Sequence, residues 1–594
     1  MHTYSESTNS RKRSSSGNTQ YIPRSCKLQG HSMVIIKGGV KAIPFIIANE
    51  VLEKVSCEGI ISIMVIYLTK EYHLEAATAA SVMFAYAGFS EFVPMFTAYL
   101  SDSYLGRFRT IAFASILSLM GAIIVWFTAM YPEAKPPTCE LNSWRGCRSA
   151  TAPQLILLFT ALTLLGTGAA GLRPCSLAFG VDQFTQENTP QLSKVLQFYF
   201  SGYFASIGIS LVLATTVIVY IIDTMGWKIG FGVTMAVMAL STLSFLLGSP
   251  LYIKLNEKRS IFSEFAQVIV TAIRNRKYNL SKERLVVVEY HRKSTNIIIP
   301  SDYLRFLNKA CVIKNRDEEL SIDGVASDPW RLCTVEQVED LKSVIGLIPL
   351  WSTGIIISLV MNISFPVLQA ETMDRHIGQN FQFPAASIGV FMFLTFTLGY
   401  NFYNHLIVPL LVKITGKPIE LTLKQRMGIG LLLGVLGTGV ATVVEAMRRR
   451  MAIKEGLPGE AAPVVSMSVM WLVLQTVIVG LAQAFNVNAT VEFFYNELPK
   501  SMNSFAMALW SLGLGVGSML GTVLVKMIDE ITSRDGRVSW LTSDLNKGHY
   551  EYYYLILTLM GAVNFFYFLV CCWAHGKVKK KPWEIEEEVL KEKP

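Results

Sequence analysis

The chain has 594 residues, of which 51% are hydrophobic and 16% are charged. A soluble protein of this length carries about 25% charged residues, so the composition excludes an ordinary soluble protein and indicates a polytopic helical membrane protein. Lys and Arg exceed Asp and Glu by 53 to 44, an excess that basic cytosolic loops explain, and no nucleic-acid-binding motif accompanies it.

The chain begins with a polar, Ser-rich and basic segment, residues 1–38. This segment holds too few apolar residues to fold and lacks the apolar core of a signal peptide, so we predict a disordered cytosolic tail. Twelve apolar segments follow, each close to the roughly 20 residues that a helix needs to cross a bilayer. The predicted spans are 42–69, 78–100, 111–131, 153–180, 195–222, 229–252, 340–368, 385–414, 425–446, 464–493, 503–528 and 550–574.

A long polar stretch divides the spans into two groups of six, which is the layout of transporters built from two six-helix halves. The sequence therefore predicts an all-α membrane protein with a bundle at 39–253, a cytosolic linker at 254–338, a second bundle at 339–575 and a cytosolic tail at 576–594. Within the linker, apolar residues of 263–275 recur at helical spacing, which predicts an interfacial amphipathic helix.

Basic residues predict the orientation of the chain. They cluster in the linker, in the final tail, and at Arg107 and Arg109 after the second span. Cytosolic loops are rich in Lys and Arg, so this pattern places both termini in the cytosol. The segment "RRRMAIK" at 448–454 disagrees, because the same topology puts it outside. We expect the plasma membrane, with a vacuolar membrane as the alternative, and the sequence does not indicate an oligomeric state.

The first span carries four charged residues within the otherwise apolar run "FIIANEVLEKVSCEGIISIMVIYL", namely Glu50, Glu53, Lys54 and Glu58. At about 100° per residue they share one face of the helix. Each costs on the order of 2.5–3.5 kcal/mol in a bilayer, so the face must point into a polar cavity or onto opposite charges. Such groups usually mark an ion or substrate path. A static ion network, or an interfacial position for Glu50 and Glu53, is the alternative.

A basic partner is available in the fourth span, where Arg173 follows the glycine-rich stretch "GTGAAGL". Glycines there allow close helix approach. With every group ionised, Lys54 and Arg173 carry two positive charges against the three carboxylates of the first span, so one bound proton neutralises the cluster. Protonation then changes which ion pairs form, which is a physical basis for a proton-driven switch.

Three motifs occur in a characteristic order along the chain. The first span reads Glu50-Val51-Leu52-Glu53-Lys54, and the fourth contains "GLRPC" followed by "FGVDQF". The turn after the second span has the pattern D-x-x-x-G-R, with Asp102, Gly106 and Arg107. In this combination the chain resembles the proton-coupled oligopeptide transporter family, and specifically its plant nitrate/peptide transporter branch.

The resemblance implies a major facilitator fold that couples inward proton flow to solute uptake. It further implies that Glu50, Glu53 and Lys54 form the proton-coupling group, with Arg173 as their cross-helix partner. The protein then works with a lipid bilayer, protons and a small-molecule solute. No nucleophile–base pair, phosphate loop or metal cluster in the aqueous segments indicates an enzyme or a bound cofactor.

Two departures from the family pattern bear on the solute. Peptide-transporting members usually carry a Glu on the tenth span, and the matching residue here is Gln483, which disfavours peptides. Glu58 stands where the family often has a substrate-contacting Tyr, and an ionised Glu there repels an anion. The seventh span holds Met361 and Asn362 at its middle and no histidine. Nitrate or a small organic anion is the first expected solute. An uncharged or glycosylated metabolite, a hormone or a short peptide is the alternative, and a non-transporting sensor is the alternative of a different class.

Several further residues are candidates for lining the solute cavity. Tyr86, Trp351 and Trp510 are candidates for lining the cavity, as are Glu58, Met361, Asn362 and Gln483. For the aromatic residues, helix packing or an interfacial belt is the alternative.

Two predictions concern modification. Thr110 lies beside Arg107 and Arg109, where a phosphate would find two guanidinium groups, with helix capping as the alternative. Cys139 and Cys147 share one polar loop on the predicted outer side, so we predict a disulfide, with two free thiols as the alternative.

Overall fold

Long helices form nearly all of the regular structure, because a chain in lipid must satisfy its backbone hydrogen bonds internally. The computed structural model describes residues 38–137, 149–184, 192–254, 261–277, 290–292, 300–321, 324–362, 364–403, 406, 408–415, 421–458, 464–498 and 503–577. The first helices are α1 (Ile43–Lys70), α2 (Ala76–Leu100), α3 (Arg107–Met130), α4 (Ala152–Asp182), α5 (Leu192–Leu213), α6 (Val219–Met225) and α7 (Trp227–Leu247). A turn of π-helix, Ala214–Ile218, joins α5 to α6 within one span.

The helices of the linker and of the second half follow in the same manner. They are α8 (Ile261–Arg274), α9 (Arg316–Glu319), α10 (Val335–Thr353), α11 (Ile357–Met361), α12 (Ser364–Glu371), α13 (Gly389–Phe402), α14 (Val408–Thr415), α15 (Leu423–Lys454), α16 (Trp471–Glu497), α17 (Asn503–Thr532) and α18 (Tyr550–Lys577). The seventh predicted span is therefore broken into α10, α11 and α12, with a bend of 46° between α10 and the pair that follows.

Four short strands accompany the helices. They are β1 (Met373–Asp374), β2 (His376–Ile377), β3 (Phe381–Gln382) and β4 (Val465–Ser468). β1 pairs with β4 in parallel, and β2 pairs with β3 antiparallel. The prediction that the tenth span begins at residue 464 is wrong at this end. Val465 donates its N–H to the Thr372 carbonyl at 2.9 Å, which commits the segment to the strand pair, and α16 begins at Trp471.

By length and composition, the described residues account for nine of the twelve predicted spans, or ten if the bent α10–α12 segment is one span. The other two predicted spans coincide with α1, which carries more than two charged residues, and with the short α13 and α14. The prediction of an all-α polytopic membrane protein is confirmed.

Close helix pairs build each half, and the most extensive contact between the halves is that of α2 with α17. In the first half α3 lies along α4 and α7, and in the second α15 lies along α16 and α18. The α3–α4 approach depends on Gly168, because a Cβ there would lie 2.0 Å from Ser118 Oγ and 2.7 Å from the Ala114 carbonyl oxygen. Between the halves, α2 runs along α17, where Phe92 packs over Gly515. The α2–α17 contact therefore links the predicted first bundle to the predicted second bundle.

The linker contains the predicted helix. α8 covers Ile261–Arg274 and buries one apolar face against the rest of the linker and the start of α10, in a cluster that includes Val268, Leu307 and Val338. Its other apolar side chains, among them Ile269 and Ile273, are exposed. The helix is thus confirmed, and its position at the membrane surface stays a prediction.

The basic segment that disagreed with the predicted topology forms the end of a helix. Arg448 is fully buried in α15 and contacts Glu445 Oε1 and Asn546 Oδ1, each at 2.7 Å. Arg449 donates to the Gly548 carbonyl at 2.8 Å. Two of the three arginines therefore have specific partners inside the protein, and such residues do not act as the free loop charges on which the orientation rule depends.

Candidate functional site

The acidic face of α1 is buried in the body of the protein. Glu50 and Glu53 are each 1% exposed, Lys54 is buried and Glu58 is half-buried. α1 can hold these side chains among helices because its small neighbours permit close packing: Ser56, for instance, donates to the Thr234 carbonyl of α7 at 2.8 Å. Among the described residues, no hydrogen-bond donor reaches Glu50 Oε2 or Glu53 Oε1. These oxygens are therefore poorly stabilised as anions.

Arg173 of α4 forms its direct ion pair with Glu91 of α2. Glu91 Oε2 also accepts a hydrogen bond from Ser511 Oγ of α17 at 2.9 Å. Glu53 and Glu58 lie within Coulombic range of the guanidinium group. The direct ion pair of Arg173 is thus with Glu91, whereas its role as the cross-helix partner of the α1 carboxylates stays a prediction. A carboxylate on the neighbouring α2 holds the contact, because α2 packs between α4 and α17 at this level.

Glu91 is not among the site residues predicted from the sequence, although the sequence does contain a signal for it. It is a lone charge in the apolar stretch "GFSEFVP", and the cost of an intramembrane charge applies to it as it does to α1. Its presence changes the charge of the cluster. With every group ionised, two cations now face four carboxylates, so the cluster carries two negative charges, from Lys54 and Arg173 against Glu50, Glu53, Glu58 and Glu91.

Tyr86 lies in the same region as the charged cluster. Its ring approaches α4, where a Cβ on Gly166 would lie 3.3 Å from Tyr86 Cε2. The hydroxyl group is within Coulombic range of Glu58, Arg173 and Glu53. Tyr86 and Glu58 are thus the two predicted solute-binding residues that adjoin the proton-coupling group.

The tryptophans predicted for the solute site flank the beginning of α17. Trp351 of α10 donates its indole N–H to the Leu509 carbonyl at 2.7 Å. It also lies over Gly513, where a Cβ would be 3.1 Å from Trp351 Nε1. Trp510 is partly buried against the same apolar cluster. Trp351 therefore packs against α17 at Leu509 and Gly513, and Trp510 precedes Ser511 in the chain.

The remaining predicted solute residues lie in the second half. Asn362 stands at the break between α11 and α12, where its Oδ1 accepts the Ser364 N–H at 2.9 Å, and Met361 precedes it. Gln483 is buried and contacts Met392 Sδ at 3.2 Å, so helix packing accounts for its position in this conformation.

A small cavity of about 40 Å³ lies inside the second half and includes Asn362 in its lining. Its wall is mostly apolar and aromatic, with Phe365, Tyr553 and Tyr554 among the contributors. Gln475 also lines it, and both amide atoms of this buried side chain lack a hydrogen-bond partner among the described residues. The sequence offers no signal for Gln475, because a single amide in a span carries no charge cost.

The D-x-x-x-G-R turn forms a junction between α3 and α4. Gly106 has φ of 76°, a conformation that favours glycine, and Arg107 Nη1 contacts both carboxylate oxygens of Asp182 at 2.7 Å. The side chain of Asp102 lies outside the described residues. Thr110 is buried and donates to the Gly106 carbonyl at 3.1 Å, so this conformation does not present it for phosphorylation. It does not cap the helix either, because it lies inside α3, whose N-cap residue is Gly106.

The predicted disulfide is not tested by the structure. Cys139 and Cys147 both lie outside the described residues. Their pairing therefore stays a prediction.

The ends of the two halves meet at a second group of charges. Lys70, at the end of α1, forms an ion pair with Glu371, at the end of α12. Arg375 Nη1 also approaches Glu371 Oε1 at 3.7 Å. This group lies at the opposite end of α1 from Glu50, so charged contacts join the halves at two separate levels.

A multi-pass helical body that buries ionisable groups between two halves is the architecture of a solute transporter. A sequence profile described as "POT family" matches residues 108–541. NRT1/PTR FAMILY 1.2 of Arabidopsis thaliana is 44% identical over 91% of this chain and 90% of its own length, and NRT1/PTR FAMILY 1.1 of the same plant is 45% identical over 91% and 92%. The chain therefore belongs to the POT family of transporters, and it is not an enzyme.

Solved structures agree with the fold. The crystal structure of the POT family transporter PepTSo is similar with a TM-score of 0.65 at 18% identity, covering 91% of this chain and 99% of that one. An auto-inhibited POT family peptide transporter is similar with a TM-score of 0.63 at 16% identity, covering 91% and 98%. At these identities the likeness concerns the fold alone.

Proposed function

We propose that this protein is a proton-coupled symporter that imports a small solute by alternating access. The observation that carries the proposal is the burial of Glu50 and Glu53, each with one carboxylate oxygen that no described donor reaches. A buried anion with an unsatisfied oxygen is costly, and a bound proton lowers that cost. The same carboxyls lie beside Lys54 and Arg173, so proton binding also changes the ion pairs available to the cluster.

The two levels of charged contact support an alternating mechanism. Lys70 and Glu371 join the ends of the halves, whereas Glu91 and Ser511 join them deeper in the body. Contacts of this kind can form and break in turn while each half moves as a unit. We propose that the Lys70 end faces the outside, with both termini in the cytosol, in the plasma membrane or a vacuolar membrane.

The charges of the site favour one class of solute. Four carboxylates face two cations, and the guanidinium group of Arg173, which an anion would use, is engaged by Glu91. This excess repels anions, so an uncharged or glycosylated metabolite, or a hormone, fits the site better than nitrate or a small organic anion. Nitrate remains the second candidate, because a proton on Glu91 would release Arg173. A POT family peptide transporter has been crystallised in complex with sulfate.

The test is solute uptake by oocytes that express the full chain, at an external pH of about 5.5. The panel consists of nitrate, a dipeptide, gibberellin and a glucoside, with current and accumulation recorded together. We expect an inward, proton-dependent current with the glucoside that exceeds the current with nitrate, and gibberellin, which is a carboxylate at this pH, should rank below the glucoside.

Two outcomes contradict the proposed symport, and a third changes only the order of the solute classes. A protein that reaches the surface and accumulates none of the four solutes at acid pH is not the symporter proposed here. Solute binding without any current indicates the sensor alternative. A larger current with nitrate than with the other solutes reverses the proposed order of solute classes and leaves the coupling mechanism standing.

A further inference from the structure

Glu91 occupies a position that differs from that of the α1 carboxylates. It lies in α2, the helix that runs along α17 of the other half, and its side chain is 16% exposed. Apolar residues surround it in sequence, with Phe89 and Phe92 on either side. An ionised carboxylate at this place depends on specific partners for its stability.

Those partners come from both halves of the molecule. Arg173 on α4 belongs to the first half, and Ser511 on α17 belongs to the second. Glu91 is therefore the central member of a chain of three polar groups that crosses the boundary between the halves. The hydroxyl of Ser511 donates to Glu91 Oε2 at 2.9 Å, a bond that is stronger to a carboxylate than to a neutral acid.

We infer that Glu91 is a second proton-binding carboxyl of the transport cycle and a latch between the two halves. A proton on Glu91 abolishes its ion pair with Arg173 and weakens its hydrogen bond to Ser511, so α2 and α17 are released from each other at this level. The inference rests on the proposed symport function and deepens it by assigning a second proton to each cycle.

Release of Arg173 has a defined consequence within the first half. Glu58 and Glu53 are within Coulombic range of the guanidinium group, so a freed Arg173 exchanges Glu91 for the α1 carboxylates. When Arg173 changes its partner from Glu91 to an α1 carboxylate, protonation of Glu91 affects the proton-coupling group. The two cations, Lys54 and Arg173, stay the same. Two discrete partner arrangements of one arginine form a bistable element that proton binding can bias.

The ionisable groups that face the Glu91–Arg173 pair are known from each neighbouring helix. Ser511 is the polar contact on α17, whose ionisable residues Lys526, Asp529 and Glu530 lie at its opposite end. Glu371 of α12 is likewise at the far end of that helix. The groups nearest the pair are Glu53, Lys54 and Glu58 on α1 and Tyr86 on α2. The pH dependence of the latch must therefore be measured in protein that keeps Glu53.

The test measures the separation of α2 and α17 without any solute. Nitroxide labels are placed at Phe96→Cys on α2 and Met507→Cys on α17, in a background in which the cysteines outside the buried core are replaced by serine. The two positions are 71% and 37% exposed and lie about one helical turn beyond Glu91 and Ser511. The full chain is studied in lipid nanodiscs by continuous-wave electron paramagnetic resonance, between about pH 4 and about pH 7.5.

We expect the dipolar broadening between the labels to decrease as the pH falls. Glu91→Gln should give the low-pH spectrum throughout, with loss of the pH dependence, and Ser511→Ala should give weaker broadening at the upper pH. The matched control is Glu492→Gln, which removes a half-exposed carboxylate that pairs with Arg426 on the second half. This control should follow the parent spectrum at every pH.

A pH response in Glu91→Gln equal to that of the parent overturns the latch, as does a parent spectrum that does not change with pH. Reconstituted uptake separates this outcome from failure of symport. If the parent accumulates solute and Glu91→Gln keeps the same ratio of protons to solute, only the latch is wrong. If the spectrum titrates through Glu91 and the parent accumulates nothing, the latch stands and the proposed function is wrong.

Discussion

Glu53 is the residue from which the coupling proposal can be tested most directly. Substitution by Gln keeps the size and the hydrogen-bonding shape of the side chain but removes the titration. One proton driven by 100 mV and one pH unit supplies about 3.7 kcal/mol. We expect Glu53→Gln to lower the accumulation of solute to roughly the external concentration, while exchange of labelled for unlabelled solute continues. Uptake and counterflow in the same cells measure the two quantities. Accumulation by this variant would remove Glu53 from the coupling group.

Glu58 determines solute preference in this scheme, because its half-buried carboxylate lies near Arg173 and Tyr86. Removing its charge reduces the repulsion of an anion. We expect Glu58→Tyr to raise the ratio of nitrate current to glucoside current on the order of tenfold, or about 1.4 kcal/mol. Glu58→Gln separates the effect of charge from that of shape. If neither variant changes the ratio, Glu58 serves only the packing of α1.

At the scale of the helix, α3 and α4 test how closely two spans can approach. A Cβ on Gly168 would lie 2.6 Å from the Ser118 backbone nitrogen as well as close to its side chain, so a helix must move. We expect Gly168→Ala to destabilise the protein by about 1–3 kcal/mol, seen as a lower midpoint of thermal unfolding in detergent. Gly434→Ala is the matched control, because its nearest contact is Ile357 Cδ1 at 3.6 Å. Equal midpoints for the two variants would contradict this account.

α15 offers a second test at the same scale. Glu445 and Arg448 are both fully buried, and Gln369 Nε2 donates to Glu445 Oε2 at 2.6 Å. Glu445→Gln leaves a buried guanidinium group without its counter-charge, which costs about 3–5 kcal/mol. We expect low abundance and a lower unfolding midpoint. Glu455 is exposed just beyond the end of the same helix, and Glu455→Gln keeps an oxygen that can accept from Ser466, so it should change stability by less than about 0.5 kcal/mol. An unchanged midpoint for Glu445→Gln would show that the pair contributes no net stability.

At the scale of the whole molecule, Glu371 and Lys70 control the end at which α1 meets α12. Glu371 contacts both Lys70 and Arg375, whereas Lys70 is more exposed, with 56% of its side chain accessible. Glu371→Gln should therefore change the apparent solute affinity more than Lys70→Gln does, by about two- to fivefold, because exposed pairs contribute little individually. Concentration–current curves measure the difference. Equal effects of the two substitutions on the apparent affinity would mean that the contact between Arg375 and Glu371 contributes nothing to solute binding.

The sequence predicts much of this architecture, because the thickness of the bilayer and the cost of charge act on it directly. Apolar runs locate the spans, and the charge of Glu50, Glu53 and Glu58 identifies α1 as the functional helix. The partner of Arg173 could not be read in this way. Whether it contacts α1 or Glu91 depends on how α2 packs between α4 and α17, which spacing along one chain does not reveal.

The start of α16 and the burial of Arg448 could not be predicted from the sequence either. The start of α16 depends on the pairing of β4 with β1, two segments far apart in the chain. The burial of Arg448 depends on its contact with Asn546, which is equally distant. The orientation rule counts these arginines as loop charges, because the sequence alone does not reveal their partners inside the protein.

The charges of α1 also bear on how the protein is made. α1 precedes in the chain the helices that cover it, α4, α5 and α7, and it carries four charged residues within its apolar run. Such charges are costly in lipid, so we expect the translocon to retain α1 until its covering helices arrive. A message truncated after α3 would release an unshielded acidic helix, which is a ready substrate for membrane quality control.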